Sequence, residues 1–147
     1  MTNDAKGTVV SDAEFLALVK SKQGGRKVTF VEHHGARECL DAFKAAKAAG
    51  DVPTVGGTYV FLDTRTVKMI EQLLAGKSID ALHPDNRLAD IIVTTLDERI
   101  DGGFRATDRY ISALGEVTRT RSTVVRGGQV SRLYSSSVFA EQMGITL

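Results

Sequence analysis

The sequence predicts an α+β fold in which a small mixed sheet, built from two βα units, packs with several helices and is followed by a long C-terminal antiparallel β-hairpin. Two short β-branched and aromatic runs, 28–31 and 58–63, are each followed by apolar residues at helical spacing. Two β-rich runs also flank Gly127-Gly128. The chain of 147 residues has no Pro- or Ser-rich linker, so we expect one domain over 1–147.

The composition indicates an ordinary globular protein. Hydrophobic residues make up 42% and charged residues 25% of the chain, which is typical of a folded domain rather than a disordered one. The 19 Lys and Arg residues nearly balance the 18 Asp and Glu residues, so the whole molecule has no field that would attract nucleic acid. The single cysteine, Cys39, excludes an intramolecular disulfide and is expected in the core.

The sequence predicts neither a signal peptide nor a membrane span. The opening segment MTNDAKGTVVSD lacks an apolar stretch with a basic start. No apolar run in the chain approaches the roughly 18 residues that a membrane helix needs. We therefore expect a protein of the cytoplasm or of a virion that is not secreted by a signal peptide and has no membrane partner.

The first half of the chain predicts two strands and three helices. A helix begins at Ser11, where Ser11 and Glu14 form a capping box, and ends at the Gly pair 24–25. A strand over 28–31 follows. The second helix ends at Gly50, and its inward residues are Ala36, Cys39, Leu40 and Phe43.

The second strand, 58–63, precedes a third helix that Asp63 or Thr64 caps and Gly76 ends. Parallel neighbours need a crossover of helical length, so the two βα units predict a parallel pair of strands. The inward residues expected in this helix are Val67, Ile70, Leu73 and Leu74.

Two more helices are predicted before the hairpin. One begins near Pro84, because proline is tolerated in a first helical turn, and ends at the Gly pair 102–103. Its expected buried residues are Leu88, Ile91, Ile92 and Leu96. A short helix is also predicted from Tyr110, Ile111 and Leu114.

The segment 116–137 predicts a long antiparallel hairpin. Its two β-rich runs surround Gly127-Gly128, a pair that can adopt positive φ at both turn positions. Neither face of the hairpin is apolar enough to stabilise it alone. The ribbon must therefore pack against the domain's own sheet, a neighbouring subunit or a polyanion, and of these we expect a neighbouring subunit.

Four ionisable side chains form the first candidate site. Glu32, His33 and His34 follow one predicted strand and Asp63 ends the other, so parallel pairing would place them at one sheet edge. Such a group is suited to binding a metal ion or to acid–base catalysis near neutral pH. In the alternative interpretation, the histidines are exposed turn residues and Asp63 is only a helix cap. Adjacent histidines on an extended chain point to opposite faces, which favours the alternative.

Arginines form the second candidate site. Six arginines and no lysine lie between 105 and 132, against two acidic residues. Guanidinium groups make paired hydrogen bonds to carboxylates and phosphates and stack on aromatic rings. A nucleic-acid surface would be expected to add more aromatic residues, whereas an exposed strand adds readily to a neighbouring sheet. The candidate interface residues are Arg119, Arg121, Arg126, Arg132 and Tyr134.

These patterns support three hypotheses of function. The leading one is a structural or interaction subunit of a homo-oligomeric assembly, with a phage head, connector or tail as one setting, and with no cofactor and no metal. The second is a small metal-dependent or acid–base enzyme that uses Glu32, His33, His34 and Asp63. The third is a protein that binds nucleic acid through the arginines of the hairpin. No motif for a nucleotide site is present, because the Gly-rich stretches lack the Gly-Lys-Ser/Thr of a phosphate-binding loop.

Overall fold

The structure is a computed structural model that describes residues 28–77 and 90–147. Five helices and five strands lie within these residues. In chain order they are α1 (Phe30–His34), α2 (Ala36–Ala48), β1 (Thr58–Phe61), α3 (Thr64–Leu74), β2 (Ile91–Ile100), β3 (Gly103–Ile111), β4 (Val117–Arg126), α4 (Gly127–Val130), β5 (Leu133–Ser135) and α5 (Ser136–Met143).

The strands form one sheet in the order β4-β3-β2-β1-β5. Every neighbouring pair is antiparallel. The predicted α+β class is therefore confirmed, and antiparallel hairpin strands are present as β2, β3 and β4. The predicted parallel pair is wrong, because β1 pairs with β2 and β5, and both partners run antiparallel to it.

The main core lies between one face of the sheet and the helices. Phe43 of α2 and Phe139 of α5 contact each other with ring centroids 4.7 Å apart, and the side chain of Met69 from α3 is fully buried. Val60 and Val93 lie opposite each other on β1 and β2 and are both fully buried. Each such side chain contributes about 1.5–3 kcal/mol by leaving water, so this layer is the main source of stability.

A second, smaller apolar cluster lies on the other face of the sheet, and we call this face the open face. Val130 of α4 packs against this cluster and covers part of it. The cluster contains Tyr59, Leu96, Phe104, Ala106, Val125 and Leu133.

Residues 28–31 do not form the predicted strand, because α1 begins at Phe30. The hydroxyl of Thr29 accepts a hydrogen bond from the amide of Glu32, and the Glu32 carboxylate accepts one from the amide of Thr29. This capping box stabilises a helical turn. Phe30 and Val31 are buried in the main core, so packing satisfies their apolar side chains without strand pairing.

The next elements agree with the sequence predictions. The strand β1 and the helices α2 and α3 are present, and Asp63 caps α3 by accepting a hydrogen bond from the amide of Arg65. Gly76 follows α3 with φ 91°, a conformation that glycine adopts without strain. Ile70 is buried as predicted, whereas the predicted inward position of Leu74 is wrong, because this residue is exposed in the last turn of α3.

The predicted helix after Pro84 is wrong where the structure describes it, because Ile91, Ile92 and Leu96 belong to β2. Residues 91–94 are all buried, since β2 is central in the sheet and both of its faces are covered. A strand buried on both faces produces apolar spacings that resemble those of a helix. The beginning of this predicted helix and the whole predicted helix from Ser11 lie outside the described residues.

The two β-rich runs of the predicted C-terminal hairpin do not pair with each other. Gly127–Val130 form a helical turn, β4 pairs with β3, and β5 pairs with β1. The turn between β3 and β4 is closed by a hydrogen bond from the amide of Ser112 to the carbonyl of Glu116, of 2.9 Å. The predicted short helix at Tyr110 and Ile111 is therefore the end of strand β3.

Candidate interaction site

The strand β4 forms one edge of the sheet. Within residues 28–77 and 90–147 it pairs only with β3. It is ten residues long, and residues 117–122 are exposed. The opposite edge is formed by β5, which has three residues and leads directly into α5. Of the two edges, β4 therefore presents far more unpaired backbone.

The direction of the backbone groups of β4 follows from two hydrogen bonds at its end. The amide of Gly127 donates to the carbonyl of Gly102 (2.9 Å), which marks a bonded pair. Residue pairs with and without inter-strand hydrogen bonds alternate along two antiparallel strands. The backbone amide and carbonyl of Arg121 therefore bond to β3, whereas those of Ser122 point away from it. The amide of Arg126 confirms this alternation, because it donates to Oε1 of Gln129 (2.9 Å) outside the ladder.

Arg119 and Arg121 project from β4 over the ring of Tyr110 on the open face. Their guanidinium carbons lie 5.0 Å and 5.7 Å from the ring centroid. Such cation–π contacts contribute about 0.5–1 kcal/mol each where the cation is exposed. The ring therefore stabilises the positions of both guanidinium groups on the open face.

A buried carboxylate fixes Arg121 further. Asp108 of β3 lies opposite Arg121, is 6% exposed, and accepts a hydrogen bond from Nη2 of Arg121 (3.3 Å). Its other oxygen accepts a hydrogen bond from the hydroxyl of Thr94 (2.7 Å). A buried carboxylate requires such partners, because an unpaired charge in the interior is strongly destabilising.

Asp108 and Arg121 line a cleft of about 160 Å³ on the open face, and Asp63 lies in the same cleft. It accepts two hydrogen bonds from the side chain of Arg65, at 3.1 Å and 3.3 Å, in addition to its role as a cap. The cleft thus contains two carboxylates, Asp63 and Asp108, each paired with an arginine.

The structure does not bring the five predicted interface residues together. Arg132 lies beside β5 at the opposite edge of the sheet and donates a hydrogen bond from Nη1 to the carbonyl of Leu62 (3.3 Å). Tyr134 packs against the main core under the helices. Arg126 is exposed at the end of β4, so only Arg119, Arg121 and Arg126 share the edge strand.

The histidines lie in a separate groove of about 660 Å³ between α1, the β3–β4 turn and the C-terminal residues. The rings of His33 and His34 are 4.7 Å apart. His34 donates a hydrogen bond from Nε2 to the carbonyl of Ala113 (2.9 Å) and contacts the ring of Phe30. Burial lowers the pKa of His34 below its ordinary value. The hydrogen bond of His34 therefore connects α1 to the β3–β4 turn.

The four residues of the predicted chemical site do not converge. Glu32 is engaged in the capping box with Thr29, and Asp63 lines the cleft on the open face, while the histidines line the groove. In the part of the chain that the structure describes, no group of three or more His, Cys, Asp or Glu side chains is placed to hold one metal ion.

Sequence reasoning missed Asp108, Thr94 and Tyr110, which organise the arginines. Phe104, Ala106, Asp108 and Tyr110 alternate along β3 and face the same side, and this period of two was the available signal. The prediction of a short helix at Tyr110 left this alternation unrecognised.

Comparisons of the chain with protein-family models, with curated proteins and with solved structures gave no match. Among the described residues, no helix has the length and apolar character needed to cross a membrane.

Proposed function

We propose that the protein is a structural or interaction subunit that assembles by adding a strand to the free edge of β4. The observation that carries this proposal is the edge itself: β4 is ten residues long, is exposed over 117–122, and pairs only with β3 within the described residues. An unpaired edge of this length is a template for another strand, because its outward amides and carbonyls need partners.

The composition of β4 supports the same proposal. Edge strands that avoid association are usually very short or contain proline or charged side chains, lysine above all. The strand β4, VTRTRSTVVR, is ten residues long and has neither lysine nor proline. Its charged residues are all arginine, which is enriched at protein interfaces together with tyrosine. Arg119 and Arg121 are already ordered by Tyr110, so less conformational entropy is lost when a partner binds.

The charges around β4 favour a protein partner over nucleic acid. Arg121 is paired with Asp108, and Arg105 is paired with Glu98 at 2.8 Å. These arginines are partly neutralised, whereas binding to a polyanion depends on cations that replace its counterions. The proposal includes the setting expected from the sequence, a cytoplasmic or virion assembly.

The test is the mass of the protein in solution as a function of concentration, measured by sedimentation equilibrium or by light scattering. The proposal expects a mass above that of one chain, with dissociation upon dilution. A mass equal to one chain at every concentration up to about 1 mM, where even an association of about −4 kcal/mol would be detected, refutes self-assembly.

A further inference from the structure

We infer that the strand that pairs with β4 is β4 of a second copy, antiparallel to the first, with the twofold axis at Ser122. This inference rests on the proposed function and specifies its partner and register. The result would be a continuous sheet across two molecules. It follows from the direction of the backbone groups, the positions of the arginines and the hydrogen bond that closes the end of β4.

The backbone limits the registers that a twofold pair can adopt. Between Arg119 and Arg126, the residues of β4 whose amides point away from β3 are Thr120, Ser122 and Val124, by the alternation that Gly127 and Gly102 establish. The register shifts beyond Arg119, so the alternation does not extend to Thr118. In a symmetric antiparallel pair these residues must lie opposite one another. The axis can therefore pass through one of them or through a residue between two of them.

The arginines disfavour registers centred before Ser122. An axis at Thr120 would place Arg119 opposite the partner's Arg121, and would do so twice by symmetry. An axis at Arg121 would place that residue opposite itself. Like charges directly opposite each other on neighbouring strands are destabilising.

The end of β4 disfavours registers centred after Ser122. The amide of Arg126 already donates to Gln129, so it is not available to a partner strand. An axis at Thr123 or Val124 would use this part of the strand and would form fewer hydrogen bonds between the two copies.

An axis at Ser122 satisfies both conditions. It places Arg121 opposite the partner's Thr123 and Arg119 opposite the partner's Val125, so no arginine faces another. The bonded pairs would be Ser122 with the partner's Ser122, and Thr120 with the partner's Val124 in both directions. Each bonded pair exchanges two backbone hydrogen bonds, which gives about six in total.

Cysteine cross-linking in the full chain tests this register. The native Cys39 is fully buried, and burial raises its pKa to about 12, so it does not compete for the oxidant. In the Ser122→Cys variant the two Cα atoms would be about 5.5 Å apart, within the range of a disulfide. In Thr120→Cys or Val124→Cys alone, the equivalent residues would be offset by four positions, about 13 Å along the strand, which is beyond that range.

The expected result is a covalent dimer with Ser122→Cys, little dimer with Thr120→Cys or Val124→Cys alone, and a dimer again when the last two variants are mixed. A maximum at another position, or a non-covalent dimer that none of these variants cross-links, overturns the inference while the proposed function stands. Monomers throughout, in sedimentation and in cross-linking, overturn both.

Discussion

The replacement of Ser122 by proline is expected to separate assembly from folding. The amide of Ser122 points away from β3, so Ser122→Pro removes no hydrogen bond of the β3–β4 ladder. In the assembly it removes two of about six backbone hydrogen bonds between the copies, one from each chain. At a net value of about 0.5–1.5 kcal/mol each, this loss amounts to about 1–3 kcal/mol.

We expect the dissociation constant of the dimer to rise about 5-fold to 150-fold in Ser122→Pro, with a Tm close to that of the parent measured under dilute, monomeric conditions. Sedimentation equilibrium gives the first quantity and circular dichroism gives the second. Ser122→Ala is the matched control, because it removes the hydroxyl but keeps the amide, and it should assemble like the parent.

Thr123→Pro is the second control. Its amide bonds to β3, so the same substitution one residue further along should destabilise the monomer itself. Equal dissociation constants for Ser122→Pro and Ser122→Ala would refute pairing at this edge. A drop in the Tm of Ser122→Pro as large as that of Thr123→Pro would instead refute the deduced direction of the amides.

Three further predictions concern the side chains around the site. Thr123→Glu should strengthen the dimer and Thr123→Lys should weaken it, each by about 2-fold to 30-fold in the dissociation constant. The reason is that Arg121 of one copy lies opposite position 123 of the other, and two such pairs form. Equal dissociation constants by sedimentation would contradict the register. Asp108→Asn should lower the free energy of unfolding, measured in urea, by about 1–2 kcal/mol, because it removes the charge that pairs with Arg121. The loss is modest because Arg121 is half-exposed and partly solvated. An unchanged urea midpoint would show that the pair contributes nothing. His34→Gln should remove a dependence of stability on pH. Burial lowers the pKa of His34, so the unfolded chain binds this proton more readily than the folded chain. The stability present above about pH 6.5 is therefore lost as the pH falls through the lowered pKa. Urea titrations between pH 7.5 and pH 5 that give parallel curves for the parent and His34→Gln would rule out this contribution.

Local signals in the sequence were sufficient for three elements. The helices α2 and α3 and the strand β1 form where the sequence places them, and Asp63 caps α3. A cap, an apolar stripe and a glycine at the end each act within a few residues, so neighbouring residues decide them.

Two other segments depended on contacts that are distant in sequence. Residues 28–31 have strand composition, and the capping box of Thr29 with Glu32 is a local signal for a helical turn that the strand prediction did not use. The burial of Phe30 and Val31 in the main core, against residues distant in sequence, stabilises this turn. The strand β2 is buried on both faces, and only the presence of β1 and β3 on either side distinguishes it from a helix with the same apolar residues.

The candidate site shows the same division. The excess of arginine over 105–132 is visible in the sequence and led to Arg119 and Arg121. Their partners Tyr110 and Asp108 could be assigned only from the register between β3 and β4, which pairs residues 9 and 13 positions apart. Arg132 and Tyr134 appeared to belong to the same hairpin, but β5 leaves β4 and crosses to β1 at the other edge.

The sequence by itself determined the α+β class, the helices α2 and α3 and the concentration of arginines near the C-terminus. The tertiary structure alone decided which strands pair, which long edge has no partner within residues 28–77 and 90–147, and which acid pairs with which arginine. The physical reason is that capping and helical periodicity are satisfied within about one or two turns of chain. Strand pairing instead selects among distant segments by the total burial and hydrogen bonding of the whole sheet.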